Sequence, residues 1–229
     1  MVKIARPKSL NEMVVDQLRQ AIVSGDYGLG EPLSEARIAA DLGASKGPVR
    51  RAIAQLQIEG LVRVVPQSGT FVFSLSADEI KKLNSCRLIL EEAALRLAVE
   101  HDQMRLAKKL AEGYSGMVAA RKKLDIRSYL DLDTAFHAAI FAHCNNGYLA
   151  DAYRLVSGKS AALRAHLATK PHQTDLSFGE HKTISEAVKD GDLNLALRTL
   201  RTHLGRAPKT YSMRVDDIAT YDHLTETEE

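Results

Sequence analysis

Asp133 and His137 stand four residues apart in YLDLDTAFHAAIFAH, a stretch that is otherwise largely apolar. On a helix, that spacing puts both side chains on one face. His181 follows a capping region, FGEHKTISEAV, and His203 lies in ALRTLRTHLGRA on the stripe carrying Leu200 and Leu204. Three imidazoles and one carboxylate are borderline ligands that suit zinc, nickel, manganese or iron. The Asp-x-x-x-His spacing alone is a weak signal. A histidine on an apolar face is more often a satisfied core residue, and residues this scattered need not converge.

A second group stands near the N-terminus. Ser45-Lys46-Gly47-Pro48-Val49-Arg50-Arg51 reads as the first turns of a helix capped by Ser45, with Pro48 tolerated there. Such a helix offers its N-terminal residues to the major groove, where Arg reads guanine O6 and N7 and Lys meets phosphate. Further on, Gln67-Ser68-Gly69-Thr70 lacks bulk, and a glycine there lets backbone approach a duplex closely. Residues 45–73 carry Lys46, Arg50, Arg51 and Arg63 against Glu59, a net +3. The charges alone fit a solvated basic face equally well.

The elements that must position these groups can be read from periodicity. Leu10, Met13/Val14, Leu18 and Ala21/Ile22 predict an amphipathic helix over 10–24, with Ser9 as N-cap and Gly25 as its stop. A turn, DYGLGEP, leads to a second helix opened by Ser34 and ended by Gly43; the third runs from Ser45 to Gly60. Val62–Val65 and Phe71–Phe73, split by Pro66-Gln67-Ser68-Gly69, predict a small hairpin. Helix, helix, helix, hairpin is the order of a winged helix-turn-helix. Beyond a short polar link at 75–78, only helical periodicity remains, with segments at 77–101, 103–123, 127–143, 147–168, 175–189 and 192–213. The expected fold is therefore mostly α. Residues 1–74 form a DNA-binding unit, 79–214 an all-helical bundle, and 215–229 a solvated acidic tail.

Composition narrows the class. Of 229 residues, 45% are hydrophobic and 26% charged, which suits a folded globular chain. Aromatics are 5% with no Trp, which argues against a β-sandwich. Two cysteines, Cys86 and Cys144, cannot form a framework; both read as small core hydrophobes in a reducing, cytoplasmic setting. No apolar run reaches a membrane-spanning length, and no secretory signal opens the chain. The net charge of +2 hides an asymmetry. From Asp216 onward there are six acidic residues and no Lys or Arg, so residues 1–215 stand at +8 and suit an anionic partner.

The run Leu33-Ser34-Glu35…Ile38-Ala39…Leu42-Gly43-Ala44-Ser45-Lys46…Pro48-Val49-Arg50…Glu59-Gly60-Leu61-Val62, with Gly69-Thr70-Phe71-Val72, resembles the DNA-binding domain of GntR-family bacterial transcription regulators. Residues 79–212 are similar to the helical FCD effector domain of the FadR-type branch. The matches are Arg87-x-x-x-Glu91, Asp133-x-x-x-His137, Asn145 or Asn146, Glu180-His181, Gly191-Asp192 and His203. The chain departs from the family pattern at Lys46, Gly47, Ala36 and Arg51, which implies a half-site different from the commonest one.

The resemblance implies a non-enzymatic, ligand-responsive repressor. It would bind a palindromic double-stranded operator as a homodimer through Ser45, Lys46, Gly47, Arg50, Arg51, Ser68, Gly69 and Thr70. It implies a divalent ion, zinc first, on Asp133, His137, His181 and His203. A small organic-acid effector would meet that ion, with Arg87, Asn145 and Arg164 as contacts and Asn146, Tyr153, Arg154 and Ser157 as further lining. The remaining histidines (His101, His143, His166, His172 and His223) read as surface or capping residues. The alternative is a metal-dependent hydrolase with an accessory nucleic-acid domain, for which Glu180 is the only available general base. A third reading makes the ion purely structural.

Overall fold

Ser9 and Glu12 form a reciprocal capping box that starts α1 (Leu10–Ser24), which buries Val14, Leu18 and Ile22 at four-residue spacing. Gly25 ends it at φ 85°, a left-handed conformation that favours glycine. The Ser34 hydroxyl accepts from the Arg37 amide to open α2 (Glu35–Asp41), and α3 (Lys46–Ile58) buries Val49, Ala52, Ile53 and Leu56 beneath it. The hairpin pairs β1 (Val62–Val65) antiparallel with β2 (Gly69–Val72), Val62 facing Val72 and Val65 facing Gly69. This computed structural model describes residues 8–167 and 171–218, with side chains for 8–166 and 175–206.

The second strand thus begins two residues before the expected Phe71. Gln67, at φ 63°, turns the chain within three residues, which frees Gly69 to pair. The expected DYGLGEP turn also does more than turn. Leu33 N donates to Thr70 O at 2.7 Å, and Val72 N donates to Glu31 O at 2.9 Å. Pro32 bridges Phe71 across this added edge, a position where its missing N–H costs no ladder bond. The wing's second strand is therefore paired on both sides.

The chain divides into two compact units, residues 1–74 and 75–229. The second opens with another capping box, Ser76 with Glu79, ahead of the 46-residue α4 (Ala77–Lys122). Asp102, at φ −158° and ψ 68°, breaks α4 where His101-Asp102 predicts a boundary. Its carboxylate accepts from the Arg105 amide at 3.2 Å and so caps the second half. Then follow α5 (Ile126–His143), α6 (Gly147–Leu167), α7 (Pro171–Asp190) and α8 (Leu193–Ile218). The helix expected from 175 starts instead at Pro171, since proline is at home in a helix's first position. The last helix continues past the expected 213 to Ile218. Residues 219–229 of the expected tail lie outside the described residues.

The core of this unit joins Ala94, Leu95, Ala98, Leu106, Leu110 and Met117 of α4 to Phe136 and Ile140 of α5, Ile184 and Val188 of α7, and Leu197, Leu200 and Leu204 of α8. At Gly116, a Cβ would stand 3.0 Å from Leu132 Cδ2, so the glycine permits the close approach of α4 and α5. Cys144 is buried as expected, but Cys86 is exposed. Its neighbours on α4, Asn84, Arg87 and Glu91, are buried instead. Among the described residues, no helix is long and apolar enough to cross a membrane.

Candidate metal centre and nucleic-acid interface

The four residues of the ligand set that the resemblance implies converge. One ligand atom from each of Asp133, His137, His181 and His203 lies within 4.8 Å of the others, and all four residues are buried. Asp133 and His137 come from α5, His181 from α7 and His203 from α8. His137 Nε2 is 3.2 Å from His203 Nε2 and 3.4 Å from His181 Nε2, and His181 Nε2 is 3.3 Å from Asp133 Oδ1.

Two carboxylates fix which nitrogens face inward. His137 Nδ1 meets Glu91 Oε2 at 2.6 Å, and His203 Nδ1 meets Glu180 Oε2 at 3.0 Å. Each Nδ1 must carry the donated proton, so the Nε2 atoms present lone pairs to one another. Two lone pairs at 3.2 Å repel unless a cation lies between them. Ligands about 2.0–2.1 Å from a tetrahedral ion stand roughly 3.3–3.4 Å apart. Three of the separations match that edge and all four donor atoms lie within 4.8 Å of one another, so the donor set is compatible with a divalent cation.

The electrostatics agree. Burial opposes the Asp133 charge, yet the Arg164 guanidinium beside it outweighs burial and holds the carboxyl well below the usual carboxylate range. Burial, aided by Arg87 at His137 and by His203 at His181, pushes both imidazoles well below 6.5, which leaves them neutral as ligands must be.

Arg87 is buried beside this cluster and donates from Nε to Glu91 Oε1 at 2.5 Å. Arg87 and Glu91 thus form a buried ion pair on one face of α4. Arg87 Nη2 nevertheless has no hydrogen-bond partner. Arg164 donates from Nη2 to Thr134 at 2.8 Å and sets Nε 2.7 Å from Asp133 Oδ2, a charge contact out of hydrogen-bond alignment. Its Nη1, the Ser160 hydroxyl and His181 Nδ1 are likewise buried and unpaired. Tyr153 is buried against Phe141, and burial, with Glu91 nearby, pushes its phenol up to about 12.

Asn145 is not brought to this cluster. It is exposed beyond the end of α5 at φ 50°, and lines a surface depression with His101, Asp102, Arg105 and His143. Twelve residues of helical rise, roughly 18 Å, separate it from Asp133. Arg154 is exposed and pairs with Asp151, while the Ser157 hydroxyl donates to the Arg154 carbonyl. Glu180, considered as a general base, is occupied by His203 and Arg206. Sequence reasoning missed the Glu91 and Glu180 contacts to the histidines, whose partners lie 46 and 23 residues away.

In the first unit, Ser45, Lys46, Gly47, Arg50 and Arg51 are all exposed along the start of α3, with Ser68 and Gly69 exposed and Thr70 half-buried on the wing. The Ser45 side chain makes no capping bond. Arg50 Nε donates to Glu35 at 2.8 Å while its side chain stays exposed, and Arg51 Nη2 donates to Asn11 at 2.7 Å. Glu35 and Asn11 were not anticipated as partners. Arg19 clasps Glu59 through two 2.8 Å bonds and ties α1 to the end of α3.

A winged helix-turn-helix followed by an all-helical domain with a buried polar centre is the architecture of a class of DNA-binding regulators. Comparison with known families is specific: residues 10–72 match the bacterial regulatory proteins of the gntR family, and residues 82–206 match the FCD domain. The chain belongs to the GntR family of bacterial transcription regulators and carries an FCD domain.

The gluconate operon transcriptional repressor of Bacillus subtilis is 28% identical over 192 residues, covering 82% of this chain and 79% of the relative. A probable D-xylose utilization operon transcriptional repressor of Paenarthrobacter nicotinovorans is 29% identical over 195 residues, covering 83% and 85%. Among solved structures, E. coli McbR/YncC shares the fold with a TM-score of 0.80 at 21% identity, covering 91% of this chain and all of that one. The protein is a DNA-binding regulator and not an enzyme; the hydrolase alternative finds no support in these relatives.

Proposed function

We propose that the protein is a repressor whose FCD domain binds a divalent cation through Asp133, His137, His181 and His203, zinc being the first choice, and senses a small organic acid. The observation that carries this reading is the convergence of three imidazole lone pairs and a carboxylate, two of the rings being oriented by Glu91 and Glu180. The buried, unpaired groups of Arg87, Arg164 and Ser160 supply donors for the acid. When bound, the cation would supply a Lewis-acidic coordination point for a carboxylate. Arg164 would sit beside that point through its contact with Asp133, and Arg87 would hold the anion from α4. Two relatives named as operon repressors support the repressor role.

The protein would act as a homodimer on a palindromic operator, reading bases with Arg50 and contacting the backbone with Lys46, Arg51, Ser45, Gly47 and the wing residues Ser68, Gly69 and Thr70. An acid that binds one arrangement of the dimer better shifts the population toward it, and a coupling of about 1–3 kcal/mol changes operator affinity about 5- to 150-fold. The test pairs thermal shift with fluorescence anisotropy on a selected operator. Metal-stripped and metal-restored protein are run against sugar acids, hydroxy acids and dicarboxylates. The reading expects an acid that raises the melting temperature only in metal-restored protein and also changes operator affinity. Metal that binds with no acid effect in either assay would make the ion structural and defeat the sensing role.

A further inference from the structure

Arg19, Arg37, Arg50 and Arg51 of the first unit are all held, but not alike. Arg19 pairs with Asp16 and Glu59, Arg37 with Glu31 and Asp41, and Arg50 with Glu35. Arg51 is held by a neutral group instead: its Nη2 donates to the Asn11 side-chain oxygen at 2.7 Å. An amide oxygen orients a guanidinium without cancelling its charge. The carboxylates nearest to Asn11 on α1 are committed elsewhere. Glu12 accepts from the Ser9 amide and hydroxyl, and Asp16 pairs with Lys8 and Arg19. Among the described residues, Arg51 takes part in no ion pair.

Asn11 is half-buried in the first turn of α1, while Arg51 is exposed. The Asn11–Arg51 and Arg19–Glu59 pairs both span 40 residues, so α1 and α3 lie side by side in one register. The Arg19–Glu59 clasp and the buried apolar faces of both helices already join them. Docking therefore does not need the Asn11 bond. Side chains on a helix lean toward its N-terminus, and Arg51 follows that rule. A Cβ at Gly47 would stand 4.0 Å from Arg51 Nη1, so the guanidinium lies back along the first turn of α3, over a residue with no side chain to crowd it. Ser45, Lys46 and Gly47 of that turn are all exposed.

We infer that Asn11 is a positioning residue of the operator interface: it holds the Arg51 guanidinium, still fully charged, over the start of α3 to meet one backbone phosphate in each half-site. This rests on the backbone contact assigned to Arg51 above and adds the residue on α1 that makes it effective. Two adjacent arginines then do different work. Arg50, countered by Glu35, adds little net attraction and is suited to reading a base edge. Arg51, uncountered, attracts any phosphate and supplies affinity without sequence preference.

The experiment is a double-substitution cycle on full-length protein. Fluorescence anisotropy reads binding to a selected operator and to a random-sequence duplex of equal length, each at low and high salt. Asn11→Ala should weaken both duplexes alike, by about two- to fivefold at low salt, the scale of an exposed charged contact. The loss should shrink at high salt, as screening removes what the contact supplied. In an Arg51→Ala background the same substitution should have no effect. Asn11→Asp keeps an acceptor and adds a carboxylate in a helix's first turn, where negative charge is favourable. It should therefore melt no lower than wild type, yet bind DNA more weakly than Asn11→Ala, because it cancels the Arg51 charge. Equal losses from Asn11→Ala with and without Arg51 would overturn the positioning role and leave Arg51 as a backbone contact. So would a loss that follows the melting temperature and ignores salt, or an Asn11→Asp protein that binds as wild type does. Arg51→Ala with wild-type affinity and salt slope would defeat both the positioning role and the backbone contact.

Discussion

Glu91 is fully buried and bonds two partners at once, Arg87 Nε at 2.5 Å and His137 Nδ1 at 2.6 Å. Glu91→Gln keeps the shape and removes the charge. The amide can accept through one oxygen only, so its NH2 group must face a donor on Arg87 or on His137. The Arg87 guanidinium, whose charge Glu91 sustains against burial, would then be buried without a counter-ion. Breaking a buried pair in this way costs about 3–5 kcal/mol. At about 2–4 °C per kcal/mol for a chain of this size, the metal-free protein should melt roughly 6–20 °C lower. Losing the carboxylate that orients a ligating histidine should also weaken metal binding about 10- to 100-fold. Thermal denaturation of stripped protein reads the first effect, and competition against a chelator of known affinity reads the second. A metal-free melting point within about 2 °C of wild type would refute the role of Glu91 as counter-ion. A lowered melting point with unchanged metal affinity would refute its role in orienting His137.

Restoring metal at about a hundredfold excess over its dissociation constant should add roughly 2.7 kcal/mol. That raises the melting temperature by about 5–11 °C; a chelator that leaves wild type unmoved would contradict it. Arg50→Ala should cost about 1–3 kcal/mol in operator affinity and relax the base preference, whereas Arg51→Ala should lower affinity for all sequences alike and reduce the salt slope by about one. Binding-site selection at two salt concentrations separates the two. Gly69→Ala forces a side chain onto a backbone at φ 127° and should destabilise the first unit by about 1 kcal/mol or more, with weaker operator binding. A melting curve of that unit identical to wild type would show that the wing tolerates the side chain.

The elements were largely legible because local rules set them. Ser9, Ser34 and Ser76 cap the helices they open, and the break at Asp102 is where a carboxylate could cap a new helix start. The ligand positions were legible in part: Asp133 and His137 share a face by their spacing, but His181 and His203 joined them only through resemblance, since nothing local says where α7 and α8 will lie. Contacts that depend on packing between helices were hidden. Glu91 and Glu180 look like ordinary helix carboxylates until α5 and α8 are set beside them. Glu31–Leu33 was hidden for the same reason, because a turn in sequence became a third edge only once β2 lay alongside it. Asn145 misled in the other direction, since closeness in sequence to a ligand-bearing helix placed it at the helix's far end.

The four residues proposed to hold the cation are spread from residue 133 to residue 203 and arrive on three separate helices. A cation held there would close a loop of seventy residues between its outermost attachments, so it would act as a reversible staple as much as a sensor. Loss of the ion would release α7 and α8 from α5 at one point and restore to the chain the freedom that the cross-link removes. Supply of the metal and supply of the acid would then set the stiffness of one domain together, and a cell short of either would hold a looser regulator.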